Sequence, residues 1–376
     1  MFDVAVIGLG AMGSASLAAL ARAGLKVIGL EQFHSPHQRG SSHGDTRVIR
    51  ETYFEDPAYV PLLQEAYRLW DALQQRHPEQ KLWRLTGGLM LGPADGHLIQ
   101  GCLRSAQQWS LPHQQLCAAD IQARFKAFAL PDNITGIYEP RAGLLHPEAC
   151  IQAFLDDASA AGAHIRMHSP LLNWEPLARG GFCLQSPTGL IEARKVVWST
   201  GAWLPQWQPT LPLQVTRQLL FWFSLPDSKP FQPEHFPIFL LEYQPEKYLY
   251  GFPDTGLGFK VAIHVPGRPL SSPDILQAAA AEAEELGEIS QLVQQWFPQV
   301  SGPPAQSQVC MYTNTPDHHF ILDRPPHSPD MLVVSPCSGH GFKFSSVIGE
   351  LVLREIQDQD PGLDLSLFRL QRFQKC

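Results

Sequence analysis

A short, almost wholly apolar run, Phe2-Asp-Val-Ala-Val-Ile7, opens the chain and predicts a strand buried on both faces. It runs into Gly8-Leu9-Gly10-Ala11-Met12-Gly13; the small, alanine-rich residues beyond predict a helix, and Lys26 to Leu30 a second strand closed by Glu31. Val60, Leu63, Tyr67 and Trp70 recur at helical spacing, so residues 58–73 are expected as an amphipathic helix. The pattern then predicts strand over 81–92, helix over 116–125 and a turn at 140–146. Pro147 and Glu148 open another helix, stopped by Gly162. Strands are expected at 164–168, 182–186 and 190–193, the last two as a hairpin, and Lys195–Trp203 reads as a buried strand that breaks at Gly201.

The texture changes at Gln214. Aromatic-rich segments at 218–225, 238–242, 248–253 and 259–265 predict antiparallel strands, and 273–297, with four alanines at 278–281, a long helix. Val309–Thr313 is expected to resume the earlier frame, followed by a strand at 331–335 and a glycine-rich turn, 337–346, leading into a helix that ends near Asp358. Together these elements predict an α/β frame of Rossmann type into which an antiparallel α+β block is inserted. The expected division is a discontinuous nucleotide-binding domain over 1–80, 146–213 and 305–376, with a substrate domain over 81–145 and 214–304.

Composition narrows the partners. A length of 376 residues suits one large or two interleaved domains, and a net charge of −8 argues against nucleic acid or an anionic membrane surface. The first strand leaves no room for a signal peptide and no apolar run is long enough to span a bilayer, so a cytoplasmic protein is expected. The seven cysteines, among them Cys310, show neither a Cys-x-x-Cys pair nor a metal-ligand spacing, so neither a metal site nor a disulfide framework is expected.

The first thirty-one residues carry the clearest chemistry. Gly8 suits the tight turn, Gly10 lets backbone approach a pyrophosphate, Gly13 lets the helix pack closely, and Glu31 stands where a carboxylate accepts from a ribose hydroxyl. Strand, glycines, helix, strand and terminal acid within one βαβ unit indicate dinucleotide binding. The polar loop His34–Arg47 leaves the ligand side of the sheet; in it Arg39, Ser41 and Ser42 are candidates for phosphate, and Arg47 and Arg50 for a carboxylate or a cofactor ring.

Three further stretches, Gly40-Ser-Ser-His-Gly-Asp-Thr-Arg-Val-Ile-Arg50, Val309-Cys-Met-Tyr-Thr313 and Ser338-Gly-His-Gly-Phe-Lys-Phe-Ser-Ser346, make the chain resemble the monomeric sarcosine oxidase family over nearly its whole length. That family also holds N-methyltryptophan oxidase, pipecolate oxidase and the fructosyl amino acid oxidases. The resemblance implies an architecture of the glutathione-reductase and D-amino-acid-oxidase kind, with FAD joined covalently to a cysteine. It implies oxidation of the C–N bond of a secondary, N-methyl or cyclic amino acid to an imine, and oxygen reduced to hydrogen peroxide. Carried over motif by motif, Cys310 is the flavin linkage, Gly8, Gly10, Gly13 and Glu31 the ADP site, with Gly339 and Gly341 also on the cofactor. Arg50 and Lys343 match the carboxylate clamp, Lys260 the lysine that activates oxygen, and His43, Arg47, Tyr250, His264 and Tyr312 line the flavin faces. Fixed positive groups suit this chemistry, because a reduced flavin and superoxide are both anions. A small amino acid and molecular oxygen are the implied partners, and a monomer is expected.

The sequence departs from the family in its lid, which commonly reads His-Ala-Tyr-Gly-Glu-Gly and here reads Glu51-Thr-Tyr-Phe-Glu-Asp56 before Pro57. Glu51 is expected to bring its charge close to Arg50. Leu240 stands for a pocket methionine and Cys337 for a more usual aromatic. Two alternatives stay open: a dehydrogenase of the same fold that passes electrons to another acceptor, and a dinucleotide-binding module without redox chemistry.

Overall fold

In the computed structural model, which describes residues 1–278, 280–326 and 328–373, two large sheets organise the chain. In the first, the strands His164–Arg166, Val27–Leu30, Phe2–Ile7, Gly189–Trp198 and Met331–Ser335 lie side by side and parallel. The long strand Gly189–Trp198 also turns back on Phe182–Ser186 and Asn173–Pro176 as an antiparallel flap. Helices Ala11–Arg22, Val60–Arg76, Pro147–Ala160 and Ser345–Ile356 cover one face, with Leu17, Leu20, Leu63, Trp70, Ile151, Val347 and Leu351 all buried there. Each such side chain contributes roughly 1.5–3 kcal/mol on burial, so the face is a true core and not a surface.

The second sheet runs Gln306–Asn314, Gln214–Phe223, Phe259–His264, Lys247–Gly251, Ile238–Gln244, Gly88–Pro93, Ile134–Glu139 and Gln114–Cys117. All its joins are antiparallel except Ile238–Gln244 against Gly88–Pro93. Paired residues share a face and strands alternate, so the register sorts the side chains. Phe221, Phe223, Phe239, Leu241, Leu249, Phe259 and Val261 fall on one face and pack with Phe231, Phe236, Trp296 and Phe297 into an aromatic core. Cys310, Tyr312, Lys260, His264, Tyr250 and Leu240 fall on the other face.

Several sequence expectations are corrected. Residues 306–314, assigned to the nucleotide-binding frame, pair over their whole length with 214–223 in the second sheet; an apolar run does not reveal which sheet it joins. The turn at 140–146 contains a strand, Gly143–Leu145, between Arg47–Ile49 and Trp83–Leu85. The helix at 116–125 begins only at Ala118, after a strand. The long helix is a short 3₁₀ segment, Pro273–Ala278, and a helix Ala283–Trp296 opened by a reciprocal cap between Glu282 and Glu285; of the four alanines, Ala279 lies outside the described residues. No helix among the described residues is long and apolar enough to cross a membrane.

Candidate active site

The two sheets enclose a cavity of about 380 Å³ whose walls run from Gly8, Gly10 and Glu31 to Arg50 and Lys343. At its first end the chain offers backbone. Gly8 has φ +86°, a conformation that favours glycine, and a Cβ there would stand 2.8 Å from Ser199 O. Gly13 does not line the cavity; it packs on Gly8 O, which a Cβ would meet at 1.8 Å. Among the described residues no side chain caps the helix that starts at Ala11, and Gly10, Ala11 and Met12 line the cavity, so its first N–H groups and positive dipole end face the cavity and suit an anion.

Glu31 closes this end. Its Oε2 accepts from Leu9 N–H (2.8 Å) and its Oε1 from Phe33 N–H (2.9 Å). Burial works against its charge, but His37, 3.6 Å away, and these N–H groups hold the carboxyl below its usual range. A carboxylate with lone pairs to spare and a fixed orientation is ready to accept from a hydroxyl. Ser41 and Ser42 line the cavity, and Ser41 Oγ and Thr200 Oγ1 are buried at its wall with no hydrogen-bond partner among the described residues. Such orphaned groups in a long cleft fit a dinucleotide. Arg39 is placed elsewhere: it is exposed and stacks on Phe33, 4.6 Å from the ring centroid.

The far wall is the polar face of the second sheet. Cys310, Tyr312, Tyr250, His264 and Leu240 all line the cavity. Burial pushes the Cys310 thiol up, but His43 and Arg47 outweigh it and bring it down to about 7. Burial drives Cys102 and Cys337 the other way, to about 12 and about 11. Arg47 is fixed by Thr46 O (2.8 Å) and Ser41 O (2.9 Å) and stands 3.9 Å from Cys310 Sγ. His264 Nδ1 lies 3.2 Å from Tyr312 Oη, and burial lowers its imidazole to about 4. Lys260 and His43 do not line the cavity but are wholly buried. Lys260 Nζ donates to Gly44 O, Thr46 O (2.8 Å) and Thr46 Oγ1 (3.0 Å). Burial and Arg47 push it well below the usual lysine range, against the opposing pull of Asp45 and Glu148.

Arg50 and Lys343 meet at the end of the cavity, next to Glu55 and His340. The partner of Arg50 is not Glu51, as the sequence suggests. Arg50 Nη2 donates to both oxygens of Glu55 at 2.9 Å and Nη1 to Thr52 O at 2.8 Å. The loop turns back so that residue 55 faces residue 50, while Glu51 points away and lies 3.7 Å from Arg141. Burial opposes the Glu55 charge, but Arg50 outweighs it and draws the carboxyl down to about 2. Lys343 Nζ donates to His340 O (2.6 Å), and burial with Arg50 lowers its ammonium to about 7. Glu139, missed in the sequence, accepts from Glu51 N–H and Thr52 N–H (both 2.7 Å) and Thr52 Oγ1 (2.6 Å), anchoring the loop. Glu55 and His340 were legible only as neighbours of motif residues: one stands five places after Arg50, the other inside Ser-Gly-His-Gly.

A model of the FAD dependent oxidoreductase family matches residues 3–354. Over 93% of its length the chain is 39% identical to a monomeric sarcosine oxidase of Streptomyces avermitilis, of which it covers 92%. It is 36% identical to an N-methyl-L-tryptophan oxidase of Citrobacter koseri, with 99% of both chains covered. Among solved structures it is similar to NikD, an unusual amino acid oxidase essential for nikkomycin biosynthesis, in an open form, with a TM-score of 0.84 at 24% identity over 98% of this chain and 97% of that one. It is also similar to a glycine oxidase from Geobacillus kaustophilus, with a TM-score of 0.81 at 19% identity over 99% and 98%. The likeness to these two structures shows the fold.

Proposed function

The chain belongs to the FAD dependent oxidoreductase family, and from that premise we propose that it oxidises the C–N bond of a secondary amino acid, N-methyl or cyclic, to an imine with oxygen as acceptor. The imine then hydrolyses, and hydrogen peroxide is the second product. A single observation carries this reading: one continuous cavity joins a dinucleotide cradle at Gly8 and Glu31 to a buried cationic pair, Arg50 and Lys343, past a cysteine drawn down to about 7. Two curated relatives of similar length are an oxidase of sarcosine and one of N-methyl-L-tryptophan by name. The name of the first supports a monomer.

FAD, when bound, supplies a two-electron acceptor that can pass its electrons to oxygen. The helix N-terminus at Gly10, with Ser41 and Ser42, would hold its phosphates and Glu31 its ribose; Gly339 and Gly341 line the cavity in a turn that only glycine permits, a Cβ meeting Tyr312 at 2.5 Å at the first and Pro336 O at 1.6 Å at the second, and their backbone would stand against the ring. Cys310 is the proposed covalent anchor, because a thiol near neutrality has a usable thiolate fraction and the more elevated cysteines do not. Arg50 and Lys343 hold the substrate carboxylate, with Glu55 keeping Arg50 paired until it arrives. Burial keeps His264 neutral, so no positive charge stands beside a nitrogen that must shed its proton. Tyr250, Tyr312 and Leu240 shape the substrate space. Arg47 is a fixed cation for the negative charge that develops on the cofactor side, and Lys260, held in place by Gly44 O, Thr46 O and Thr46 Oγ1, is assigned to oxygen.

A panel of N-methyl and cyclic amino acids assayed for peroxide tests the reaction. Peroxide from members of the panel is the expected result; turnover only with an artificial acceptor would establish a dehydrogenase instead. The linkage is tested by denaturing Cys310→Ser protein, which should release its flavin, whereas flavin still fixed to the chain would place the bond elsewhere.

A further inference from the structure

The loop that carries Arg50 is unusually well tied down. Besides the grip of Glu139 on residues 51 and 52, Cys102 Sγ donates to Thr52 O (3.3 Å) and Ser105 Oγ to Tyr53 O, both from the helix His97–Trp109. Gly101 of that helix lies flat against the next residue: a Cβ there would come within 2.6 Å of Phe54 O and 2.7 Å of Phe54 Cβ. Phe54 is 4% exposed, and its ring packs against Tyr248 (5.2 Å between centroids), the edge of His97 (5.6 Å) and the Arg50 guanidinium (5.0 Å). It therefore has little freedom to move aside.

Phe54 also lines the cavity, next to Arg50 and Glu55. It belongs to one apolar cluster with Met90, Ile137 and Tyr248, against which Leu240 packs, and Leu240, Met90 and Ile137 sit in register across three adjacent strands. The cavity face of the second sheet thus ends at the Phe54 ring. An amino acid whose carboxylate is held at Arg50 must direct what extends from its α-carbon or nitrogen toward this wall or away from it.

We infer that Phe54 is a specificity-determining residue: a fixed apolar wall, buttressed by Gly101, that sets the upper size of the substituents a substrate carries. This rests on the proposed amine oxidation at the same site. Unlike a flexible side chain, a ring clamped on four sides rejects bulk at its own position instead of yielding to it. The wild-type enzyme accordingly favours small amino acids such as sarcosine over N-methyl-L-phenylalanine.

The test compares kcat/KM for those two compounds in holoenzyme. Both carry the same carboxylate, so any weakening of Arg50 through loss of its aromatic neighbour cancels in the ratio. Phe54→Ala should raise the ratio of N-methyl-L-phenylalanine to sarcosine by about ten- to a hundredfold, the scale on which hydrophobic pockets discriminate size. Phe54→Leu, a milder change in a packed cluster, should raise it less. Gly101→Ala, which presses on Phe54 from the side of the helix, should lower it. A ratio unchanged in all three variants, with sarcosine still oxidised, would overturn the role of Phe54 alone. Failure of the wild-type enzyme to oxidise any N-methyl or cyclic amino acid of the panel would instead bring down the proposed reaction, and this inference with it.

Discussion

The two faces of the second sheet come from the same strands yet do opposite work. On one, Phe221, Phe223, Phe239 and Phe259 close on Phe231, Phe236 and Phe297, with ring centroids as near as 4.8 Å. On the other face stand Lys260, His264, Tyr250, Cys310 and Tyr312. Strand geometry makes this division sharp, because the side-chain period is two and adjacent residues cannot share a face. The aromatic face holds the platform still; the other uses that stillness to keep Lys260 and the Cys310 thiol in fixed positions, which loops alone would hold less well.

Phe259 and Lys260 are the sharpest place to break the comparison. Lys260→Met should slow re-oxidation of the reduced enzyme by oxygen on the order of a thousandfold, the scale of losing a preorganised electrostatic group, while anaerobic reduction by substrate changes much less. Phe259→Ala should do the reverse, costing about 3–5 kcal/mol of stability in a denaturant titration and leaving both half-reactions of the folded enzyme near their wild-type rates. Stopped-flow measurement of the two half-reactions separates them. A Lys260→Met loss confined to the reductive half would reassign that lysine to the substrate.

Arg50→Ala comes next. Loss of one side of a buried charge pair costs roughly 2–5 kcal/mol, or about one and a half to four decades in kcat/KM for an amino acid at about 1.4 kcal/mol per decade. Because Glu55 would be left unpaired, the double variant with Glu55→Gln is the proper control, and Glu51→Gln should matter little. The decarboxylated amine, already poor, should lose almost nothing more; equal penalties for acid and amine would move the clamp elsewhere.

The smallest effect is one of pH. Lys343 is drawn down to about 7 by burial and Arg50, and only its charged form attracts a carboxylate. KM should therefore be low and flat below that value and rise by up to about tenfold per unit above it. Lys343→Met should remove the rise, and a KM that is independent of pH in the wild-type enzyme would exclude Lys343 from the clamp.

How much of this was legible in the sequence depended on distance along the chain. The cradle of Gly8, Gly10 and Glu31 was readable because strand, turn, helix and acid lie within the first thirty-one residues and each constrains the next. Val309–Thr313 is legible as a motif, but its place in the second sheet is not, since its hydrogen-bond partners in 214–223 lie far away in the chain and leave no mark on it. The alternation in Phe259-Lys-Val-Ala-Ile-His264 was present in the sequence and marks the two faces, but only the pairing with Trp222 and Tyr250 shows which face meets a cavity. The Arg50–Glu55 pair escaped because it depends on how the loop is bent by Glu139, a strand residue far away in the sequence.

The central claim is that this cavity passes electrons from an amino-acid C–N bond to oxygen, and one measurement meets it directly. Purified holoenzyme is mixed anaerobically in turn with the N-methyl and cyclic amino acids of the panel, its flavin absorption is followed, and oxygen is then admitted. The account predicts that the absorption bleaches with the amino acid, returns on admission of oxygen, and is accompanied by one peroxide per flavin. Absorption that bleaches but returns only with a quinone or other artificial acceptor would contradict it.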